Sequence, residues 1–218
     1  MNSRSVPACS TTLLVIAKEP VPGRVKTRLT PPYTPQEAAA LAQAALTDTL
    51  NAVLQVPARR RILVLDGTPG PWLPPGFEVA PQMSGGLDER IAAAFALCDE
   101  GPALLVGMDT PQLTPDLVAG VGSDGQDAWF GPAADGGFWA LGFADPSRAG
   151  VLVRGVPMST DRTGAVQRRR LVEAGLAVGD LPMLRDVDTA ADAASVVSSC
   201  PPGSLFAAAL ASLAEAVR

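Results

Sequence analysis

The chain alternates short apolar runs rich in β-branched residues with longer segments of helical periodicity, and this alternation restricts its fold more than any other feature. Strands joined through helices form crossover units, which place the strands parallel in one sheet with helices on both faces. We therefore predict an α/β fold with a mostly parallel central sheet. The expected strands are 11–17, 62–66, 103–107, 127–131, 137–143 and 177–181, and the expected helices are 35–54, 87–99, 115–121, 162–174, 190–199 and 204–217.

Three helix starts carry local signals in the sequence. Thr34, Pro35 and Glu37 supply an N-cap, a proline at the first helical position and the acid of a capping box. Thr114 precedes a proline in the same way, and Thr189 precedes a helix with an acid in its first turn. These signals fix the expected starts of three helices more closely than periodicity alone.

The length of 218 residues suits one large domain, so we expect one domain over 1–218, with a core at about 11–199 and a last helix at about 204–217. The segment 67–86 is rich in Pro and Gly and is interpreted as a surface excursion, not as a domain linker. No apolar run approaches the roughly 20 residues that a membrane helix needs. No membrane partner is therefore expected, and the sequence leaves the oligomeric state open.

The cysteines and the first apolar run bear on the cellular setting. The run follows Arg4 and ends at Lys18 without a small-residue cleavage site, so we interpret it as a core strand and not as a signal peptide. Cys9, Cys98 and Cys200 are an odd number at wide spacings, which fits neither a disulfide framework nor a zinc site. We therefore expect a reduced, cytoplasmic setting.

Charge and histidine content exclude several classes of function. The net charge of −5 and a sequence pI of about 4.7 argue against a nucleic-acid partner. The arginine runs at 59–61 and 168–170 are interpreted as solvated surfaces. Because the chain has no histidine, Ser-His-Asp and Cys-His catalysis are excluded, as are His-ligated metals. A metal would need carboxylate ligands, which select Mg²⁺ or Mn²⁺.

Residues 18–28, here called the cationic loop, directly follow the first expected strand and contain both lysines of the chain. A concentration of positive charge at the carboxyl end of a strand is typical of a phosphate site, and we assign Lys26 a catalytic role as well. Gly23 would let the backbone approach such a ligand. The competing interpretation is a solvated basic turn, and the sequence lacks the Walker A pattern. The basic side chains of the loop are Lys18, Arg24, Lys26 and Arg28.

Carboxylates follow two other expected strand ends. Asp109 follows a buried strand, where a carboxylate is costly unless it meets a cation or hydrogen-bond donors. Asp186 and Asp188 alternate along an extended segment, so both would point to one face and approach the same cation. We predict that the three hold a metal, with Asp109 also taking a catalytic part. Turn capping is the alternative for each.

Two further residues are weaker candidates. Asp135 precedes two glycines, which favours either a turn that faces the substrate or a plain hairpin. Because no histidine is available, Asp135 is our candidate for the catalytic base of the acceptor. Arg90 follows glycines at a helix start that could offer amides to an anion, so it is a candidate phosphate ligand; a solvated arginine is the alternative.

Four motifs occur in order along the chain and carry a family resemblance: Ala17–Leu29, Gly107–Pro111, Gly131–Gly137 and Asp186–Thr189. Over residues 12–197 they resemble the bacterial DUF2064 family, some members of which are named glycosyltransferases. The resemblance implies a nucleotide-diphospho-sugar transferase (GT-A-like) fold.

A more distant similarity connects the chain to guanylyltransferases of molybdenum-cofactor biosynthesis and to the phospholactate and phosphoenolpyruvate guanylyltransferases of deazaflavin-cofactor biosynthesis. In those proteins a basic loop after the first strand handles phosphates. Acids at the positions of Asp109, Asp186 and Asp188 bind Mg²⁺ there.

We therefore expect a Mg²⁺-dependent transferase that uses a nucleotide or nucleotide-sugar donor and a small-molecule acceptor, with glycosyl transfer as the first expectation. Nucleotidyl transfer to a phosphorylated small molecule, with release of pyrophosphate, is the alternative. A nucleotide-binding module without catalysis is a second alternative.

Overall fold

The computed structural model describes residues 11–216, in which seven strands form one sheet in the order β3-β2-β1-β4-β6-β5-β7. Cys9, the segment before the first strand and the expected last helical residue, 217, lie outside the described residues. The strands are β1 (Thr12–Lys18), β2 (Arg60–Asp66), β3 (Glu78–Pro81), β4 (Ala103–Val106), β5 (Ala128–Pro132), β6 (Phe138–Phe143) and β7 (Val178–Asp180).

The sheet is mostly parallel, as predicted. Neighbouring strands run parallel except at β6, which is antiparallel to both β4 and β5. Because of this reversal, β6 begins where β4 ends: Val106 pairs with Ala140, and the Gly107 N–H donates to the Trp139 carbonyl at 2.9 Å. The turn before β6 therefore shares an edge of the sheet with the carboxyl ends of β1 and β4.

Helices cover both faces of the sheet. Alternate β1 side chains enter opposite layers: Leu13 and Val15 pack with Leu50 of the helix Pro35–Gln55, while Leu14 packs with Phe95 of the helix Leu87–Phe95. No helix within residues 11–216 has the length and apolar character that crossing a membrane requires. The helices are α1 (Pro35–Gln55), α2 (Leu87–Phe95), α3 (Ala149–Leu152), α4 (Thr163–Glu173), α5 (Ala190–Val196) and α6 (Leu205–Ala216).

Two of the three helix starts agree with the sequence signals. In α1 the Glu37 N–H donates to Thr34 Oγ1 at 3.2 Å, and Glu37 Oε2 accepts from the Thr34 N–H at 2.7 Å. Thr189 and Asp192 make the same reciprocal pair at the start of α5. Thr114 makes no such side-chain bond, and one 3₁₀ turn, Pro115–Val118, replaces the expected helix 115–121.

The prediction missed the short helix α3, ran three residues past the end of α5, and was wrong in three larger respects. Residues 67–86 do not form only a surface excursion, because they contain β3, which pairs parallel with β2 at the sheet edge. The expected helix 115–121 is cut short because glycines follow at once, and Gly122 adopts a left-handed φ of 83°. The expected helix 87–99 ends at Phe95, after which the chain tightens into i→i−3 bonds.

A satellite core lies beside the main sheet and joins distant segments. Leu29, which directly follows the cationic loop, packs with Val187 and with Phe206 of α6. Asp48, in the middle of α1, caps the first turn of α6: its carboxylate accepts from the backbone N–H groups of Leu205 and Phe206, both at 2.9 Å. This core fixes the cationic loop and the Asp186–Asp188 segment relative to each other.

Candidate active site

A cavity of about 510 Å³ opens at the carboxyl edge of the sheet, and most of the candidate residues line it. Gly23 is the exception: it takes a left-handed φ of 76° at an exposed turn of the cationic loop and does not line the cavity. Ligands in open α/β sheets bind at this edge. The candidate residues along the cavity are Lys18, Arg24, Lys26, Arg28, Arg90, Asp109, Asp135, Asp186 and Asp188.

Lys26 links the cationic loop to two of the acids. Its Nζ lies 2.5 Å from Asp109 Oδ2 and 2.8 Å from Asp188 Oδ1, and only 11% of the side chain is exposed. Arg28 bonds to the other Asp188 oxygen. Burial alone would lower the pKa of Lys26, but the two carboxylates outweigh burial and raise it above its usual value.

The backbone around Lys26 holds that geometry in place. Lys26 has a left-handed φ of 48°, which is uncommon for a side chain of this size. On one side of it Val25 is buried against Ala39 and Ala42 of α1, and on the other side Leu29 enters the satellite core. The loop is therefore anchored at both flanks of the lysine.

Asp186 is the least compensated acid of the site. Among residues 11–216 its buried Oδ1 has no hydrogen-bond partner, and burial, followed by the charges of Asp109 and Asp135, raises the pKa of Asp186 to about 8. Asp186 and Asp188 face the cavity, whereas Val187 between them is buried. The Val187 N–H donates to the Asp109 carbonyl at 2.9 Å, so the backbone couples the acids directly.

The carboxylates of Asp109, Asp186 and Asp188 are suitable ligands for a hard cation, but their positions in the structure do not form a closed metal site. Within residues 11–216 no three Asp, Glu, Cys or His side chains are grouped closely enough to hold a metal ion. The Lys26 ammonium instead lies between Asp109 and Asp188. Carboxylate oxygens are the ligands that Mg²⁺ and Mn²⁺ prefer, and the orphaned Asp186 oxygen is a buried acceptor that such an ion could satisfy.

Gln82 is a cavity residue that the sequence did not reveal. Its Nε2 donates to the Ala17 carbonyl at 2.6 Å and to the Val64 carbonyl at 3.2 Å, so the amide orientation is fixed. Its Oε1 accepts from Arg90 at 3.2 Å. A neutral amide therefore holds Arg90, whose charge stays available to the cavity. No local pattern signals this role, because the pairing joins the ends of separate strands.

Two other parts of the cavity complete the site. The side chains of Ile16, Leu87, Ile91, Leu105, Phe138 and Met158, here called the apolar wall, line it without charge. Asp135 sits in a tight turn in which its Oδ1 accepts from the Gly137 N–H at 2.8 Å. Gly136 has a φ of 91°, and its carbonyl accepts from the Gly164 N–H at 2.8 Å. This contact holds the turn against the start of α4.

The arginine runs outside the cationic loop make contacts within the protein. Arg60 bonds both oxygens of Glu78, and Arg168 bonds both oxygens of Asp180. Arg170 donates to the backbone carbonyl of Arg154 at 2.6 Å. Their charges are thus partly compensated on the surface.

The chain belongs to the DUF2064 family, described as an uncharacterized protein conserved in bacteria, whose model matches residues 33–160. No curated protein matches the sequence.

Solved structures share the fold. A Desulfovibrio desulfuricans G20 protein provisionally named a nucleotide-diphospho-sugar transferase is 26% identical, with a TM-score of 0.84 over 94% of this chain and 95% of that one. A nucleotidyl transferase from Methanothermobacter has a TM-score of 0.56 at 14% identity, over 86% and 95% of the two chains. The 2-C-methyl-D-erythritol 4-phosphate cytidylyltransferase of Thermus thermophilus has a TM-score of 0.53 at 15% identity, over 87% and 98%. The predicted GT-A-like fold is confirmed.

Proposed function

We propose that this protein is a metal-dependent transferase with a nucleotide-activated donor, and that it transfers a glycosyl group from a nucleotide-diphospho-sugar to a small acceptor. The observation that carries the proposal is the convergence of the cationic loop with Asp109 and Asp188 in one cavity at the carboxyl edge of the sheet. The provisional name of the Desulfovibrio protein supports the same donor class. We also propose that the chain acts as one domain, because Asp48 and Phe206 tie α6 to α1.

The cationic loop would hold the diphosphate of the donor. Lys18 and Arg24 line the cavity and form no ion pair within residues 11–216, so their charge is available to an anion. Arg90 is held by the neutral Gln82 and adds a third available charge. Charge-assisted bonds from these groups would offset the charge that builds on the leaving diphosphate.

Asp109, Asp186 and Asp188 would hold a Mg²⁺ or Mn²⁺ ion. When bound, such an ion supplies Lewis-acid stabilisation of the phosphate oxygens. The oxygen-only donor set supports this assignment.

Asp135 would act on the acceptor. In glycosyl transfer an acceptor hydroxyl forms a bond to the anomeric carbon, the bond from that carbon to the diphosphate breaks, and the hydroxyl proton must leave. The exposed carboxylate of Asp135, held by the Gly137 N–H, can accept that proton in a site without histidine.

Nucleotidyl transfer is the second candidate function, favoured by the number of available cations. Lys18, Arg24 and Arg90 exceed the two negative charges of a diphospho-sugar and suit a triphosphate better. In this reaction a phosphate oxygen of the acceptor attacks the α-phosphorus, and pyrophosphate leaves. Two of the structural neighbours carry this activity in their names.

One assay separates the candidates. The protein is incubated with Mg²⁺ and either a panel of nucleotide-diphospho-sugars or each NTP with phosphorylated small molecules. Release of nucleoside diphosphate with sugar transfer supports the first function, and release of pyrophosphate supports the second. Asp188→Asn is the inactive control. Thermal stabilisation by nucleotides that persists in EDTA, with no turnover of any donor, would instead indicate a binding module.

A further inference from the structure

The Lys26 ammonium cannot bind the phosphates of the donor and the carboxylates of the proposed metal site at the same time. As a phosphate ligand its ammonium must face the donor, yet in the structure it lies between Asp109 and Asp188, two of the proposed metal ligands. We propose that Lys26 takes the place of the divalent cation in the free protein and that the arriving cation displaces its ammonium toward the phosphates of the donor. This inference rests on the proposed function.

The charges of the site support an exchange over a permanent lysine bridge. Four carboxylates line the cavity, and within residues 11–216 Lys26 and Arg28 are the cationic side chains that pair with them, through Asp109 and Asp188 alone. The buried Asp186 oxygen of the same cavity accepts no hydrogen bond within residues 11–216. A single ammonium leaves that oxygen without a partner, whereas a divalent cation that replaced the ammonium would draw it toward Asp109 and Asp188.

The packing lets the side chain move while the backbone stays. Val25 and Leu29 are buried on either side of Lys26, and the Val187 N–H ties the Asp186–Asp188 segment to the Asp109 carbonyl. The four-carbon stem of lysine can rotate on this fixed frame. Binding of the metal would therefore prepare the cationic loop for the donor, and we expect the metal to bind before the nucleotide.

The composition of the chain permits a direct test, because Lys18 and Lys26 are its two lysines. Protein carrying [ε-¹³C]lysine should show two ε-methylene signals in a carbon–proton NMR spectrum, and Lys18→Arg assigns them. Titration with Mg²⁺ alone should move the Lys26 signal along a saturating curve, while the Lys18 signal stays nearly constant. A Lys26 signal that stays in place while calorimetry shows Mg²⁺ binding would overturn the exchange and leave the metal site intact.

A second measurement uses Mn²⁺ alone, followed by electron paramagnetic resonance. Lys26→Met removes the competing ammonium, so it should bind Mn²⁺ at least about tenfold more tightly than wild type. Lys18→Met, the matched control, removes an equal charge that bonds to no carboxylate and should change the affinity by less than about threefold. Equal or weaker binding by Lys26→Met refutes the exchange. If neither wild type nor Lys26→Met binds Mn²⁺, the proposed metal site is refuted as well.

Discussion

The cavity has two walls of opposite construction. The charged wall, formed by the cationic loop with Asp109, Asp186 and Asp188, consists of irregular segments that rest on the satellite core. The apolar wall belongs to the sheet and to α2, with Met158 added from a loop, and it packs against the core on the α2 side of the sheet. The positions of the charged side chains therefore depend on the small satellite core. The positions of the apolar side chains depend on the larger core that packs against the sheet.

The largest expected effect comes from breaking the satellite core behind the charged wall. Phe206 is fully buried there, so Phe206→Ala should lower the free energy of unfolding by about 3–5 kcal/mol, measured by urea denaturation. Leu205→Ala is the matched control, because Leu205 is 45% exposed and should cost less than about 1 kcal/mol. Similar losses for both variants would show that α6 does not support the wall.

The second prediction concerns the pH dependence of folding stability, which we expect to arise from Asp186 in the charged wall. The folded pKa of Asp186, about 8, lies above the value of an unfolded carboxyl, so folding binds a proton between these two values and stability falls as the pH rises through them. Asp186→Asn removes this dependence. The variant should gain stability over wild type between pH 4 and pH 8, on the order of 3 kcal/mol without metal. Parallel stability curves for the two proteins would contradict this.

Loss of a carboxylate should also disable the charged wall in catalysis. Asp109→Asn removes a proposed metal ligand and a partner of Lys26, so we expect turnover of the donor identified by the assay above to fall by about 100-fold or more. Asp116→Asn, the same change at an exposed position, should keep wild-type turnover. Full activity of Asp109→Asn would show that the Asp109 carboxylate is not needed for catalysis.

The smallest expected effect concerns Gln82, the cavity residue that bonds to Arg90. In Gln82→Glu the new carboxylate cannot donate to the Ala17 and Val64 carbonyls and would neutralise Arg90. Affinity for inorganic pyrophosphate, measured by calorimetry, should fall by about tenfold. Gln43→Glu adds the same charge on an exposed face of α1 and should leave binding nearly unchanged. Equal affinities for the two variants would argue against Arg90 as an anion ligand.

Much of the fold could be predicted from local signals. Thr34 and Glu37 define the start of α1 because the capping box is a contact between near neighbours. The meeting of Lys26 with Asp109 and Asp188 follows from topology, since carboxyl ends of parallel strands share one edge.

The remaining features depend on contacts that no local pattern encodes. β3 has a Pro/Gly-rich surrounding and little apolar alternation, and it exists because β2 offers an edge to pair with. The bridging position of Lys26 and the support from Gln82 likewise arise from residues far apart in sequence.

The attachment of α6 has a consequence for how ligand binding spreads through the molecule. Of the α6 side chains that the structure describes, none lines the cavity, yet Phe206 fills the space behind Leu29 and Val187. Because these side chains pack together and coupling between sites is reciprocal, we expect a ligand that orders the charged wall to order this helix as well. Backbone amides of α6 would then exchange with deuterium more slowly when the cavity is filled, and the last helix would report occupancy of a site it never touches.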